Sequence, residues 1–79
     1  MRTWKKSPVV RVGGVQVTER ERQVWKWFSL SETTRGIAGL LDISPKTVEF
    51  HRSKLYRKLG VNDYAALARL AIRHGLISA

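Results

Sequence analysis

No cysteine occurs among the 79 residues, which excludes disulfides and thiolate chemistry and suits a reducing compartment. Acids are scarce as well, 6 Asp and Glu against 15 Lys and Arg, and there are only two histidines. From so few groups no paired carboxylates, no Ser-His-Asp arrangement and no set of metal ligands at a workable spacing can be assembled, so neither an enzyme nor a cofactor site is expected. Long apolar runs are missing, which excludes a bilayer-spanning helix. Arg2, Lys5 and Lys6 are not followed by the apolar stretch of a secretory signal, and a cytoplasmic location is expected. The chain is too short for a second domain, and a core of this size must use most of its apolar helical residues.

What remains is a formal charge of +9 and a helical pattern. Such a balance calls for an acidic partner, with nucleic acid the leading candidate. A membrane surface fits poorly, because no helix sets a broad apolar face against a purely basic one. Residues 1–16 read as a basic N-terminal arm whose Trp4 can pack on the domain or stack on a partner, packing being the expectation. The β-branched residues around Gly13-Gly14 suit a short hairpin. Thr18 and Glu21 form a capping box for a first helix reaching about Leu30, with Val24, Trp25 and Phe28 inward and Trp27 at the edge of the core. Thr33 caps a second helix over 34–41 with Ile37, Ala38 and Leu41 inward, and Ala38 and Gly39 are small enough for a close helix crossing. Asp42 and Ile43 leave room only for a sharp turn, the helix-turn-helix spacing.

Ser44 as N-cap and Pro45 at the first helical position mark the start of a third helix, 45–59. Val48, Leu55 and Leu59, with Arg52 close by, make its inward stripe. Lys46, Glu49, Phe50, Ser53, Lys54 and Arg57 point outward. A plain solvated face would alternate Glu and Lys; a net-basic face carrying a phenylalanine suits contact with a partner. Gly60 stops this helix, and Asn62 or Asp63 caps a last one from Tyr64 to about His74.

The run Val17-Thr18-Glu19-Arg20-Glu21, then Ile37-Ala38 with Leu41, then Ile43-Ser44-Pro45-Lys46-Thr47-Val48-Glu49-Phe50-His51-Arg52, and finally Lys58-Leu59-Gly60-Val61, resembles the LuxR/GerE-type DNA-binding domain of bacterial transcription regulators, nearest the NarL/FixJ branch. The resemblance runs from about Val17 to Ile77, with the domain taken as 17–79, and implies an all-α, four-helix helix-turn-helix domain that binds double-stranded DNA sequence-specifically, with helix 45–59 in the major groove. Three positions depart from the family pattern: Ser31, Thr34 and Gly36 stand where Gly, Asn and Glu are usual. The second helix should therefore be weakened, since an interior Gly costs up to ~1 kcal/mol relative to Ala. Members usually carry this domain behind a receiver or ligand-binding domain, so control by phosphorylation or by an autoinducer does not carry over to these residues.

Position by position, the resemblance makes Glu49, Phe50 and Ser53 the base contacts, by acceptance from a cytosine amino group, contact with a thymine methyl and a permissive hydroxyl. Thr33, Thr34, Arg35, Ser44, Lys46, Thr47, Lys54, Arg57 and Lys58 are expected at phosphates, and His51 is either structural or a further phosphate donor. The bland alternative for Glu49 is a pair with Lys46 or Ser53 inside its own helix. For Arg52 it is a pair with Glu21 or Asp42. Leu67, Leu70 and Ala71 on the last helix are expected to make a homodimer on DNA, the bland alternative being packing on the first helix, which must use part of the stripe in any case. The competing reading is a protein-interaction module that uses the same fold to dock on RNA polymerase or another regulator; the basic outer face of helix 45–59 favours DNA.

Overall fold

The computed structural model describes residues 9–12 and 14–78. Strands β1 (Val9–Val12) and β2 (Val15–Thr18) pair antiparallel, Arg11 opposite Gln16 and Val12 opposite Val15. Gly14 turns the chain at φ +88°, a conformation a side chain resists. Its neighbour Gly13 lies outside the described residues, as do the arm 1–8 and the packing expected of Trp4. A two-stranded ribbon is marginal by itself. This one is supported because Val12 and Val17 are buried in the helical core and Val15 packs against it.

Helix α1 (Glu19–Ser29) begins at the expected capping box: Thr18 Oγ1 accepts from the Glu21 N–H at 3.1 Å, and Glu21 Oε1 accepts from the Thr18 N–H at 3.0 Å. Its inward residues Val24, Trp25 and Phe28 are buried, and Trp27 sits at the rim. The buried indole of Trp25 donates to the Leu67 carbonyl at 3.0 Å, which satisfies its one polar atom and ties α1 to the last helix. Helix α2 (Thr34–Leu41) starts at Thr33, whose hydroxyl accepts from the Gly36 N–H at 2.9 Å. Ile37 and Ala38 are buried as expected. Gly39 is not at a helix crossing: it is exposed, and a Cβ added there would meet nothing within 4 Å, whereas Ala38 lies in the core.

Asp42, at φ +58°, turns the chain, and the Ile43 N–H donates back to Ala38 O at 3.0 Å. Helix α3 (Pro45–Leu59) follows at once, capped by Ser44 and stopped by Gly60 at φ +69°. Helix α4 (Tyr64–Arg73) is capped by Asp63, whose Oδ1 accepts from the Ala66 N–H at 2.8 Å. Beyond it Leu76 and Ile77 fold back onto the core, the Leu76 N–H donating to Ala71 O at 2.7 Å. The result is an all-α four-helix domain with an N-terminal β-hairpin. Helix α1 lies at its centre, packed on α3, α4 and the hairpin.

Candidate nucleic-acid interface

Helix α3 divides as its periodicity predicts. Val48 and Leu55 are fully buried and Leu59 is half-buried, while Lys46, Phe50, Ser53 and Arg57 are exposed on the opposite side. Phe50 is 56% exposed. A phenyl ring left in water at the middle of a basic helix face gains nothing for the fold, since its burial against a core would be worth about 1.5–3 kcal/mol. Lys54 Nζ stands 5.3 Å from its ring centre.

The two flanks of this face differ. On one, Glu49, the one acid of α3, is neutralised: its carboxylate pairs with Arg52, and Oε2 accepts from the Thr34 hydroxyl at 2.7 Å. Thr34's hydrogen bond, opposed by partial desolvation and assisted by Arg52, holds the Glu49 carboxyl below its ordinary range. The pair ties α2 to α3 across the turn and occupies the carboxylate otherwise expected to read a base. Neither Lys46 nor Ser53 is its partner. Arg52 pairs with Glu49 and with neither Glu21 nor Asp42. Its guanidinium lies 5.9 Å from the ring of Phe28, 5.2 Å from Tyr56 and 5.6 Å from Tyr64, so one cation joins α1, α3 and α4.

The other flank is built on Glu21, 1% exposed beneath α3. Lys58 Nζ donates to its Oε1 at 2.6 Å, and Lys54 Nζ stands 3.8 Å from Oε2. His51 is half-buried beside them, and its Nδ1 has no partner among the described residues. Burial holds its imidazole below the ordinary value; Glu21 opposes this, and Arg20 and Lys54 reinforce it. The ring is therefore neutral near pH 7, and any phosphate contact would use the N–H of the neutral form.

The hydroxyls expected at phosphates already have internal work. Thr33 and Ser44 are N-caps, Thr34 holds Glu49, and Thr47 Oγ1 lies 2.9 Å from Ser44 Oγ. Arg35 is exposed. The stripe expected to form a dimer is largely the inward face of α4: Leu67 and Ala71 are fully buried in the domain's own core, and only Leu70 is partly accessible. Sequence reasoning missed Arg20, whose guanidinium donates to Leu41 O at 3.3 Å, and Tyr56 and Tyr64 around Arg52. Tyr56 was findable from its four-residue spacing to Arg52. Tyr64, on another helix, left no local signal.

Two helices joined by a left-handed turn, the second presenting a basic, acid-neutralised face, define a helix-turn-helix DNA-binding domain. The model of the family described as bacterial regulatory proteins, luxR family, matches residues 15–71, and the chain belongs to that family. Among relatives, it is 36% identical over 63 residues to the response regulator UvrY of Escherichia coli, covering 80% of this chain and 29% of that protein. It is 45% identical over 53 residues to the transcriptional regulatory protein UhpA of Escherichia coli, covering 67% and 27%. With FixJ of Bradyrhizobium diazoefficiens it shares 36% over 62 residues, covering 78% and 30%. The chain thus spans under a third of the length of these curated relatives. A solved structure of the transcription factor GerE superposes with a TM-score of 0.70 at 34% identity, covering 78% of this chain and 92% of that one. The domain is a sequence-specific DNA-binding domain. No described helix is long and apolar enough to cross a membrane, and no cluster of metal-binding side chains occurs among the described residues.

Proposed function

We propose that the chain acts in the cytoplasm as a transcription regulator, inserting α3 into the major groove of operator DNA. The observation that carries this is the outer face of α3, where an exposed Phe50 stands among Lys46, Ser53, Lys54 and Arg57 and the helix's single acid is neutralised by Arg52. In this reading Phe50 and Ser53 face bases, and Glu49 serves first as the brace between α2 and α3. Lys46, Lys54, Arg57 and Arg35 face phosphates. A domain of this size reads few base pairs, so two copies on half-sites about 10 base pairs apart are proposed. They would meet along the outer side of α4, where Leu70, Ile72 and Val61 border an open cleft of about 600 Å³.

Sequencing the genomic fragments that the protein retains supplies the site, and fluorescence anisotropy then compares it with random duplex. Phe50→Ala should weaken the preferred site by roughly 1–3 kcal/mol and leave random DNA nearly unaffected, whereas Lys46→Ala should weaken both alike. Equal effects of the two substitutions on all DNA would show that Phe50 reads no base.

A further inference from the structure

We propose that Glu21 is a positioning residue for DNA binding: from beneath α3 it withholds Lys58 from the phosphates and steadies Lys54 beside Phe50, so the domain grips DNA with fewer cations than its sequence offers. The inference rests on the DNA-binding reading above. Glu21 Oε1 accepts from both the Thr18 N–H, at 3.0 Å, and Lys58 Nζ, at 2.6 Å. Its Oε2 is buried and has no hydrogen-bond partner among the described residues; Lys54 Nζ stands 3.8 Å away. Burial pushes the Glu21 carboxyl up, but the Lys58 hydrogen bond, the Thr18 N–H and the charges of Lys58 and Lys54 together hold it below its ordinary value, so it stays ionised at pH 7.

A buried carboxylate stripped of its cation is costly, whereas a solvent-exposed ion pair with a phosphate is weak and screened by salt. Lys58 therefore stays with Glu21 when DNA arrives. Lys54 is placed differently: 3.8 Å is too long for a hydrogen bond, and the ammonium also leans on the Phe50 ring at 5.3 Å. It can donate outward to a phosphate while the buried anion keeps it next to the side chain proposed to read bases.

If Glu21 were only structural, changing it would lower stability without altering how binding depends on salt. Withholding a cation predicts something else, because each phosphate neutralised adds about 0.9 to the steepness of log K against log salt. Anisotropy of a labelled mixed-sequence duplex titrated across KCl concentrations measures that slope, with folding checked by circular dichroism. Lys58→Met should leave the slope as in the wild type, while Lys46→Ala lowers it by about 0.9. Glu21→Gln should steepen it by about 0.9 or more as Lys58 becomes free to reach DNA. A slope that falls by about 0.9 in Lys58→Met, or fails to steepen in a folded Glu21→Gln, would overturn the inference. Lys58→Met decides alone if Glu21→Gln does not fold. A wild-type slope near zero would instead remove the DNA-binding reading itself.

Discussion

Ser31 holds a left-handed backbone at φ +70° without being glycine, at the corner between α1 and α2. The side chain crowds its own backbone there at a cost of about 1–2 kcal/mol. Ser31→Gly should therefore stabilise the domain by about 0.5 kcal/mol once the extra freedom glycine gives the unfolded chain is subtracted, and raise Tm by roughly 2–4 °C in a thermal melt. A lower Tm would mean that the hydroxyl supports the corner in a way its backbone geometry does not reveal. His51 gives a second prediction at this scale. Its folded pKa is depressed below 6.5 by burial, with Glu21 opposing and Arg20 and Lys54 adding to the effect. As pH falls through 6.5, the unfolded chain takes up a proton that the folded chain refuses, so stability declines towards the folded pKa. Melts between pH 7.5 and about 5 should show this decline, and His51→Gln should flatten it, since the depressed carboxylates act only at lower pH.

Among the elements, the joint between α2 and α3 depends on side chains more than on its short turn. Thr34 reaches across it to Glu49, and Glu49 carries the connection on to Arg52 and so to α1 and α4. Thr34→Val removes the hydroxyl but keeps the shape. Stability at pH 7 should fall by about 1 kcal/mol, and NMR titration should show the Glu49 carboxyl moving back towards its ordinary value. The depressed Glu49 contributes stability that is present above the unfolded value and lost as pH falls through the folded one; the variant should reduce this acid-side loss. The effect stays small because the Glu49 side chain is two-fifths exposed and screened. Gly36 belongs to the same element: a Cβ there would meet the flexible end of the exposed Glu32 side chain, which can swing aside, so packing does not require the glycine that weakens α2.

For the molecule as a whole, a charge of +9 opposes self-association. The outer side of α4 adds Arg69 and Arg73 to the apolar residues proposed as the meeting surface. Two copies would bring four guanidinium groups together there. The free protein should be monomeric at low salt in sedimentation velocity and should associate more as salt screens the repulsion, whereas its DNA affinity moves in the opposite direction. Association that weakens with salt would place the contact on a surface of mixed charge elsewhere. Ile72→Asp, at a position 42% exposed, should abolish cooperative binding to two half-sites while sparing a single one.

Local chemistry determined much of this protein from sequence alone. Thr18, Thr33 and Ser44 each cap a helix, and Gly60 stops α3, because a cap needs only a side-chain oxygen within three residues or a residue free to turn left-handed; for α4 the same chemistry left Asn62 and Asp63 open, and the structure has Asp63. The outward placement of Phe50, Ser53 and Arg57 followed from the helical period in the same way. What the sequence could not decide were the partners of charges separated along the chain. Glu21 meets Lys58 over 37 positions and Glu49 meets Thr34 over 15, and such pairings exist only once α1, α2 and α3 have packed. For the same reason the apolar stripe of α4 showed that α1 must cover part of it but not that the covered part would be Leu67 and Ala71, with Ile72 left outside. Periodicity shows that a helix has an apolar face; only tertiary packing decides which part of that face the domain uses for itself.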